Sequence, residues 1–357
     1  MHKALLFEPL DDMKVRCTAC KHYCIIQKDH TGICGVRQNK DGILYLIVYG
    51  RASAVNTDPI EKKPLFHFLP GSRIFSIGTV GCNFGCDFCQ NWDLSQASKE
   101  IKKRLMKEKH SELADVEVGR FGYDLPPERI VDTCHKASIP SIAYTYNEPI
   151  IFFEYLYDTA RLAKKQGIRN VFVSNGYESN ESLEKMKGLL DAMNIDLKSF
   201  SEDFYTKTCK AKLKPVLDTI RHAHALGIWL EITTLIIPTK NDSDEELKNI
   251  AGFIASVDKD IPWHVTAFHP DYKMKNLAPT SKETLLKAYA IGKKAGLSFV
   301  YVGNIIDEEH SSTYCPKCNA LLIRRGWHDA EITSSFSGGA CRKCGERIAG
   351  VWDQEKK

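Results

Sequence analysis

The most informative stretch of this chain is Gly81-Cys-Asn-Phe-Gly-Cys-Asp-Phe-Cys-Gln90. Its cysteines, Cys82, Cys86 and Cys89, follow the spacing Cys-x3-Cys-x2-Cys on one short loop. Three thiolates on such a loop can hold three corners of a cubane iron–sulfur cluster and leave one iron without a protein ligand. A structural metal site is normally closed by four protein ligands, so the open corner indicates a place for a substrate or a cofactor.

The same three cysteines also allow a zinc knuckle whose fourth ligand lies elsewhere, for example at Cys134 or Cys209. The loop directly follows an apolar run, 74–80, that predicts a strand. Because this strand opens a long alternation of strands and helices, a cluster loop is the preferred interpretation.

Length, charge and hydropathy exclude several classes of protein. The 357 residues carry 49 basic and 45 acidic side chains, a net charge of +4 that is too mild to argue for nucleic-acid binding. The basic stretch 99–109 is interrupted by acidic residues and predicts a solvated helix face. No run approaches the ~18 to 20 apolar residues that cross a bilayer, and the first apolar patch is too short for a signal peptide. We therefore expect a cytoplasmic protein without a membrane partner.

Thirteen cysteines are many for this length, and in a reducing cytosol they predict metal ligands rather than disulfides. Eleven fall into three groups. The first group, Cys17-x2-Cys20-x3-Cys24-x9-Cys34, can close a tetrahedral site, with zinc preferred and an auxiliary iron–sulfur cluster as the alternative.

The last group consists of two Cys-x2-Cys knuckles, Cys315 with Cys318 and Cys341 with Cys344. Each knuckle presents two thiolates at the spacing that zinc needs. Short strands are predicted between the knuckles, at 320–327 and 330–336. This pattern predicts a zinc ribbon.

Between these groups, short apolar runs alternate with longer amphipathic segments. The pattern predicts strands at 74–79, 141–145, 170–174, 193–197, 229–236, 262–268 and 298–302. It predicts helices at 127–137, 150–166, 179–190, 214–226, 243–257 and 281–295. We expect an α/β fold, a partial (β/α)6 barrel, with a doubly wound sheet as the alternative. The predicted domains are an N-terminal four-cysteine domain at 1–70, the barrel at 71–308 and the zinc ribbon at 309–357.

Chemistry in such a barrel belongs at the carboxyl ends of the strands. Polar residues do recur in successive predicted strands and directly after them, and each also has an ordinary structural explanation as a turn, a helix cap or an ion pair. They are Asn147, Glu148 and Pro149, then Asn175, then Asp196 and Lys198, and finally Glu231, His264, His269 and Asn304.

These motifs together resemble the radical S-adenosylmethionine (radical SAM) enzymes of the pyruvate formate-lyase activating enzyme type. More narrowly, they resemble the radical SAM member of the AmmeMemoRadiSam system. The resemblance covers nearly the whole chain. It is carried by the cysteine loop with Gln90-Asn-Trp92 and by 58–65, 144–149, 174–177, 196–198 and 301–304.

The resemblance implies a [4Fe-4S] cluster on Cys82, Cys86 and Cys89 that binds and reductively cleaves S-adenosylmethionine. The resulting 5′-deoxyadenosyl radical abstracts hydrogen from a substrate that the motifs do not identify. An electron donor such as ferredoxin or flavodoxin and other proteins of the AmmeMemoRadiSam system are the implied partners.

The resemblance also implies roles for single residues. Asn147, Glu148 and Pro149 match the amino-group-binding motif, and Asn175, Asp196 and Lys198 lie near the ribose or methionyl part. His264 or His269 lies near the adenosine or the substrate, and Cys209 either faces the substrate or is a buried free cysteine.

One departure separates the chain from glycyl-radical activases that carry auxiliary clusters. The segment 93–124, just after the loop, contains no cysteine, so glycyl hydrogen abstraction does not follow. Two further hypotheses stay open: a radical SAM enzyme that modifies RNA and docks through its zinc ribbon, and a non-enzymatic zinc-binding adaptor.

Overall fold

A computed structural model describes residues 1–352 of the chain. Its contacts divide into two compact units. Unit 1 comprises Met1–Thr57, Ile74–Asp191 and Thr208–Ala211, and unit 2 comprises Asp58–Arg73, Ala192–Lys207 and the chain from Lys212 on. The division into 1–70, 71–308 and 309–357 stays a sequence-based prediction.

Three parallel strands form the centre of unit 1, with Ser141–Tyr144 between Arg73–Gly78 and Arg169–Ser174. Every residue of the middle strand is buried, as expected for a parallel sheet covered on both faces. The helices of this unit are Trp92–Ser95, Ala97–Lys107, Ala114–Arg120, Pro127–Lys136, Phe153–Lys165 and Asn180–Met186, with 3₁₀ turns at Ser111–Leu113 and Pro149–Phe152.

The N-terminal segment of unit 1 forms small antiparallel sheets. One holds Phe7–Pro9, Val15–Cys17 and Ile25–Ile26, and another holds His2–Lys3, Ile43–Leu46 and Arg37–Lys40. Further short strands lie at Arg51–Ala52, Ala54–Pro59 and Tyr123–Asp124.

Unit 2 repeats the parallel pattern with Ala192–Asp196, Trp229–Ile236, Trp263–Ala267 and Val300–Gly303, paired in that order. Its helices are Glu202–Phe204, Leu213–Ala225, Asp244–Val257, Lys282–Lys294 and Glu308–Ser311, with a 3₁₀ turn at Ile60–Lys62. A π-helical turn at Tyr205–Cys209 directly follows the helix Glu202–Phe204. The C-terminal strands are Thr313–Tyr314, Leu321–Arg325, Ala330–Ile332, Phe336–Ser337 and Ala340–Cys341.

The predicted alternation of strands and helices is confirmed in both units, with boundaries that differ mostly by one to three residues. Serine side chains explain several helix starts. Ser179, Ser243 and Ser281 each accept a hydrogen bond from a backbone N–H of the first turn. Such caps satisfy donors that the helix itself leaves unpaired. Within residues 1–352, no helix combines the length and apolarity needed to span a membrane.

A buried chain of polar contacts leads to His67 in unit 2. Arg325 Nη1 donates to Thr313 Oγ1 at 2.6 Å, and that hydroxyl lies 2.8 Å from the Tyr301 hydroxyl. The Tyr301 hydroxyl lies 2.6 Å from His67 Nε2, while His67 Nδ1 lies 2.7 Å from the carbonyl oxygen of Ala349. Because a carbonyl only accepts, Nδ1 carries the proton. Burial lowers the pKa of His67 to about 4, so the ring is neutral at pH 7 and Nε2 accepts from the Tyr301 hydroxyl.

This arrangement predicts a loss of stability in mild acid. Burial lowers the pKa of His67 to about 4, with Glu231 opposing the shift. A depressed pKa means that stability is present above the unfolded value of about 6.5 and is lost as the pH falls towards 4. We expect the free energy of unfolding to fall by about 2 kcal/mol between pH 7 and pH 5 because of His67 alone.

Urea unfolding at both pH values measures this effect. In His67→Gln, which does not titrate, the difference between pH 7 and pH 5 should be smaller by that amount. Equal differences in the two proteins would show that His67 is not buried in its neutral form.

Candidate active site at the cysteine loop

The cysteine loop begins where the strand Arg73–Gly78 ends, and its backbone requires glycine. Gly81 has a φ of 96°, which side chains other than glycine rarely adopt. A Cβ at Gly81 would also lie 2.7 Å from the carbonyl oxygen of Cys34, and one at Gly78 would lie 2.6 Å from that of Thr145. Close packing of backbone against backbone therefore sets the path of the loop.

The sulfurs of the loop lie in largely buried surroundings. Cys82 and Cys86 are buried and Cys89 is partly exposed. The backbone N–H of Phe84 donates to Cys82 Sγ at 3.4 Å, and Cys89 Sγ lies 3.2 Å from Ser95 Oγ. Burial raises the pKa of the Cys82 thiol, so this group needs a cation to stay a thiolate.

Lys99 holds the middle of the loop in place. Its Nζ donates to the carbonyl oxygen of Phe84 at 2.6 Å and to Gln96 Oε1 at 3.1 Å. Its charge also lowers the pKa of Cys82, against the larger effect of burial. The prediction of a solvated basic face at 99–109 is therefore wrong for Lys99, because this side chain turns to the loop.

On its other side, the loop pairs with the short segment Thr208–Ala211. Gly85 N–H donates to the carbonyl oxygen of Cys209 at 2.9 Å, and Asp87 N–H donates to that of Thr208 at 3.0 Å. Lys210 and Asp87 add an ion pair at 3.6 Å. Cys209 is fully buried, in agreement with the interpretation as a buried cysteine.

Asn147 joins the ends of two neighbouring strands. Its Nδ2 donates to the carbonyl oxygen of Gly81 at 2.8 Å, and its Oδ1 accepts from the backbone N–H of Thr79 at 3.3 Å. Tyr146, just before it, has a φ of 69°, a strained conformation for a bulky residue. The side chain of Asn147 thus positions the cysteine loop.

Glu148 is a buried carboxyl group at the carboxyl ends of the strands. It accepts from the backbone N–H of Asn175 at 2.8 Å, from that of Ile150 at 3.2 Å and from Ser174 Oγ at 3.1 Å. Burial and the neighbouring Glu178 raise its pKa well above the usual range. Pro149 starts the 3₁₀ turn that follows.

Two buried amide groups beside Cys82 are only half satisfied. Asn175 Nδ2 donates to Asn83 Oδ1 at 2.8 Å and lies 4.0 Å from Cys82 Sγ. The remaining atoms, Asn175 Oδ1 and Asn83 Nδ2, have no hydrogen-bond partner within residues 1–352. Because buried polar atoms are normally paired, an acceptor and a donor are left for a ligand next to the first cysteine.

A cavity of about 260 Å³ opens beside the exit of the loop. Its lining combines polar groups with an apolar wall. The lining residues are Ser53, Ala54, Asn91, Asp93, Leu94, Phe121 and Tyr146.

The other predicted site residues belong to unit 2. Asp196 ends its strand, and its Oδ2 accepts from Lys198 Nζ at 2.7 Å. His264 lies near the amino end of its strand, where its Nε2 is 2.7 Å from Glu231 Oε2. His269 is exposed. The roles of Asp196, Lys198 and His264 towards a cofactor stay predictions.

The sequence interpretation missed Asn83, Ser174 and Lys99 as site residues. Asn83 lies inside the quoted loop, and Ser174 directly precedes Asn175, so their positions were a usable signal. Lys99 gave none, since its contact with Phe84 depends on how the helix Ala97–Lys107 returns to the loop.

The C-terminal cysteines form a compact metal-binding set. The sulfurs of Cys315, Cys318, Cys341 and Cys344 all lie within 4.8 Å of one another, with Cys315 and Cys344 at 3.5 Å. A tetrahedral site with Zn–S bonds of about 2.3 Å separates its sulfurs by about 3.8 Å. This set can therefore bind a single metal ion.

The profile of the Radical SAM superfamily matches residues 76–254, half of the chain. The chain belongs to the radical SAM superfamily. The match begins in the strand before the cysteine loop and includes Asn147, Glu148, Asn175, Asp196 and Lys198.

One relative is the uncharacterized protein MJ0808 of Methanocaldococcus jannaschii, 42% identical over 351 residues, which are 98% of this chain and 99% of that protein. The pyruvate formate-lyase-activating enzyme of Clostridium pasteurianum is 22% identical over 217 residues, 57% of this chain and 83% of that enzyme. Among solved structures, Streptococcus suis SuiB bound to S-adenosylmethionine matches with a TM-score of 0.46 and 11% identity, over 69% of this chain and 50% of that chain.

Proposed function

We infer that this protein cleaves S-adenosylmethionine at a [4Fe-4S] cluster held by Cys82, Cys86 and Cys89. One observation carries the proposal. The half-satisfied amides of Asn83 and Asn175 lie beside Cys82, the first of three cysteines on a loop that would leave one iron of a cluster without a protein ligand. Membership of the radical SAM superfamily supports it independently.

The residues fit the cluster better than they fit a zinc knuckle. Within the described residues 1–352, only the C-terminal cysteines gather their sulfurs within 4.8 Å of one another, so neither Cys134 nor Cys209 completes such a set with the loop. A cubane uses a different iron for each thiolate and therefore accepts sulfurs that lie farther apart. Asn147 contacts the loop at Gly81, and Lys99 contacts it at Phe84.

The residues also fit S-adenosylmethionine. Its amino group can donate and its carboxylate can accept hydrogen bonds, which complement Asn175 Oδ1 and Asn83 Nδ2, and its sulfonium group is a cation. A cation bound nearby would favour ionisation of Glu148, whose pKa is raised by burial and by Glu178. When bound, the cluster and S-adenosylmethionine supply an electron and a 5′-deoxyadenosyl radical that abstracts hydrogen.

The chain itself contributes positioning and shielding. Asn147 holds the loop to the strand ends through Gly81, while Glu148 orients the backbone of Asn175. Burial of Cys82 and Cys86 keeps water away from the cluster.

The partners in this proposal follow the sequence resemblance. They are a reduced ferredoxin or flavodoxin as electron donor and other proteins of the AmmeMemoRadiSam system, in the cytoplasm, with zinc in the C-terminal cysteine set. The hydrogen donor is a separate substrate.

Anaerobic reconstitution with iron and sulfide tests the cluster. We expect a visible absorbance that dithionite bleaches and that falls when Cys82, Cys86 and Cys89 are all replaced by serine. If the loop binds zinc and does not bind iron, the proposal is wrong.

Asn175→Ala tests the ligand contact next to the cluster. Removing one hydrogen bond to a charged group should weaken S-adenosylmethionine binding roughly 10- to 100-fold. Isothermal titration of the reconstituted protein measures the affinity.

Asn170→Ala is a matched control on the strand Arg169–Ser174, which Asn175 directly follows. Asn170 is buried near the opposite end and contacts the Tyr144 hydroxyl at 3.0 Å. This variant should lose stability and keep its affinity. Equal losses of affinity in both variants would show that Asn175 acts only through folding.

A further inference from the structure

A second set of cysteines lies next to the cysteine loop, in the N-terminal segment. Cys17 ends the strand Val15–Cys17, and its N–H donates to the carbonyl oxygen of Cys24 at 2.9 Å. Cys17, Cys20 and Cys34 are buried, and Cys24 is partly exposed.

Backbone N–H groups lie near three of these sulfurs. The N–H groups of Ala19, His22 and Ile33 are close to the thiols of Cys17, Cys20 and Cys24. For the first two, the donor comes two residues after the cysteine, as Phe84 does for Cys82. Such N–H···S bonds stabilise thiolates and tune iron–sulfur clusters.

A buried guanidinium adds a free donor to this set. Arg37 is 2% exposed and forms a bidentate pair with Glu154 at 2.8 and 2.9 Å. Its Nε has no hydrogen-bond partner within residues 1–352. The guanidinium is close enough to Cys17 and Cys34 for its charge to interact with both thiols. A buried unpaired donor beside buried thiols indicates an anionic group that the protein alone does not supply.

The spacing of the sulfurs distinguishes this set from the C-terminal one. In the part of the chain that is described, residues 1–352, the C-terminal sulfurs gather within 4.8 Å of one another and the N-terminal sulfurs do not. One zinc ion needs its four sulfurs about 3.8 Å apart. A four-iron cluster binds each thiolate at its own iron and accepts the wider spacing.

The N-terminal set also contacts the cysteine loop directly. His22 Nε2 lies 3.0 Å from the carbonyl oxygen of Asn83, and Ser98 Oγ donates to the carbonyl oxygen of Cys34 at 3.0 Å. That carbonyl is the group that leaves room only for glycine at position 81. Anything that orders Cys34 and His22 therefore orders the start of the loop.

We propose that Cys17, Cys20, Cys24 and Cys34 hold a second iron–sulfur cluster of the four-iron type, closed by four thiolates, that supports the loop of the first. Its closed coordination leaves no iron for S-adenosylmethionine. Arg37 Nε donates to this cluster or to one of its thiolates.

Metal analysis of the full chain after anaerobic reconstitution tests this assignment. The native sequence should bind about eight iron and about eight sulfide, with about one zinc. The triple variant Cys82→Ser/Cys86→Ser/Cys89→Ser should keep about four iron, and so should Cys17→Ser/Cys34→Ser. Cys315→Ser/Cys341→Ser should lose zinc alone.

The outcomes separate this proposal from the proposed function. If the triple variant binds no iron and about two zinc, the proposal of a second cluster is wrong, and the proposed function is unaffected. A Cys17→Ser/Cys34→Ser protein with the native metal content also overturns it. If the triple variant instead keeps the full iron content of the native protein, the assignment of the first cluster is wrong.

A spectroscopic measurement avoids any folding defect of the variants. Electron paramagnetic resonance of the reduced native protein should contain two cluster signals, of which S-adenosylmethionine changes only one. A single signal, fully changed by S-adenosylmethionine, would contradict a second cluster.

Discussion

Formation of 5′-deoxyadenosine is expected to fall to the background rate when Cys82 is replaced by alanine. The same result is expected for Cys86→Ala and Cys89→Ala. Each substitution removes one of the three protein ligands of the cluster. Anaerobic assays with dithionite and S-adenosylmethionine, followed by chromatography, measure the product.

Cys134→Ala is the matched control. Cys134 is also fully buried, on the helix Pro127–Lys136, and lies outside the three cysteine groups. Its loss should cost some stability and leave the rate near that of the native protein. If Cys82→Ala still forms the product, the assignment of the cluster loop is wrong.

Arg37→Met is expected to destabilise the protein by about 3 to 5 kcal/mol, because it leaves the Glu154 carboxylate buried without its partner. The two side chains are 2% and 0% exposed and share two hydrogen bonds. Glu154 also accepts from the backbone N–H of Leu5 at 2.8 Å, so the pair ties the N-terminal segment to the helix Phe153–Lys165. The urea midpoint measures the loss.

The double variant Arg37→Met/Glu154→Met separates charge from packing. Removing both charges avoids the unpaired carboxylate, so the double variant should be more stable than Arg37→Met alone. An equal or larger loss in the double variant would show that packing, and not the buried charge, decides the effect.

The regular part of the fold could be predicted from the sequence because periodicity reports burial directly. Asn170-Val-Phe-Val-Ser174 is an apolar run, and it forms a buried parallel strand. The two C-terminal knuckles likewise carry their geometry in their spacing, and their sulfurs do come together. Parallel pairing also explains why residues after successive strands, such as Asn147 and Asn175, share one edge of unit 1.

The supporting contacts could not be predicted because they join residues far apart in the sequence. Lys99 belongs to a charged stretch, yet its ammonium group donates a hydrogen bond to the carbonyl oxygen of Phe84. Cys34 limits the residue at position 81 through one backbone oxygen. His264 belongs to the series of polar residues along the predicted strands, yet it lies near the amino end of its own strand and contacts Glu231. Sequence spacing does not record the depth of a residue along a strand.

The products of S-adenosylmethionine after anaerobic reduction of the reconstituted protein show whether the cysteine loop is a site of radical chemistry. We expect methionine and 5′-deoxyadenosine in equal amounts, formed only when both the cluster and the reductant are present. A protein that has bound iron and sulfide at Cys82, Cys86 and Cys89, accepts electrons and still leaves S-adenosylmethionine intact would contradict the account.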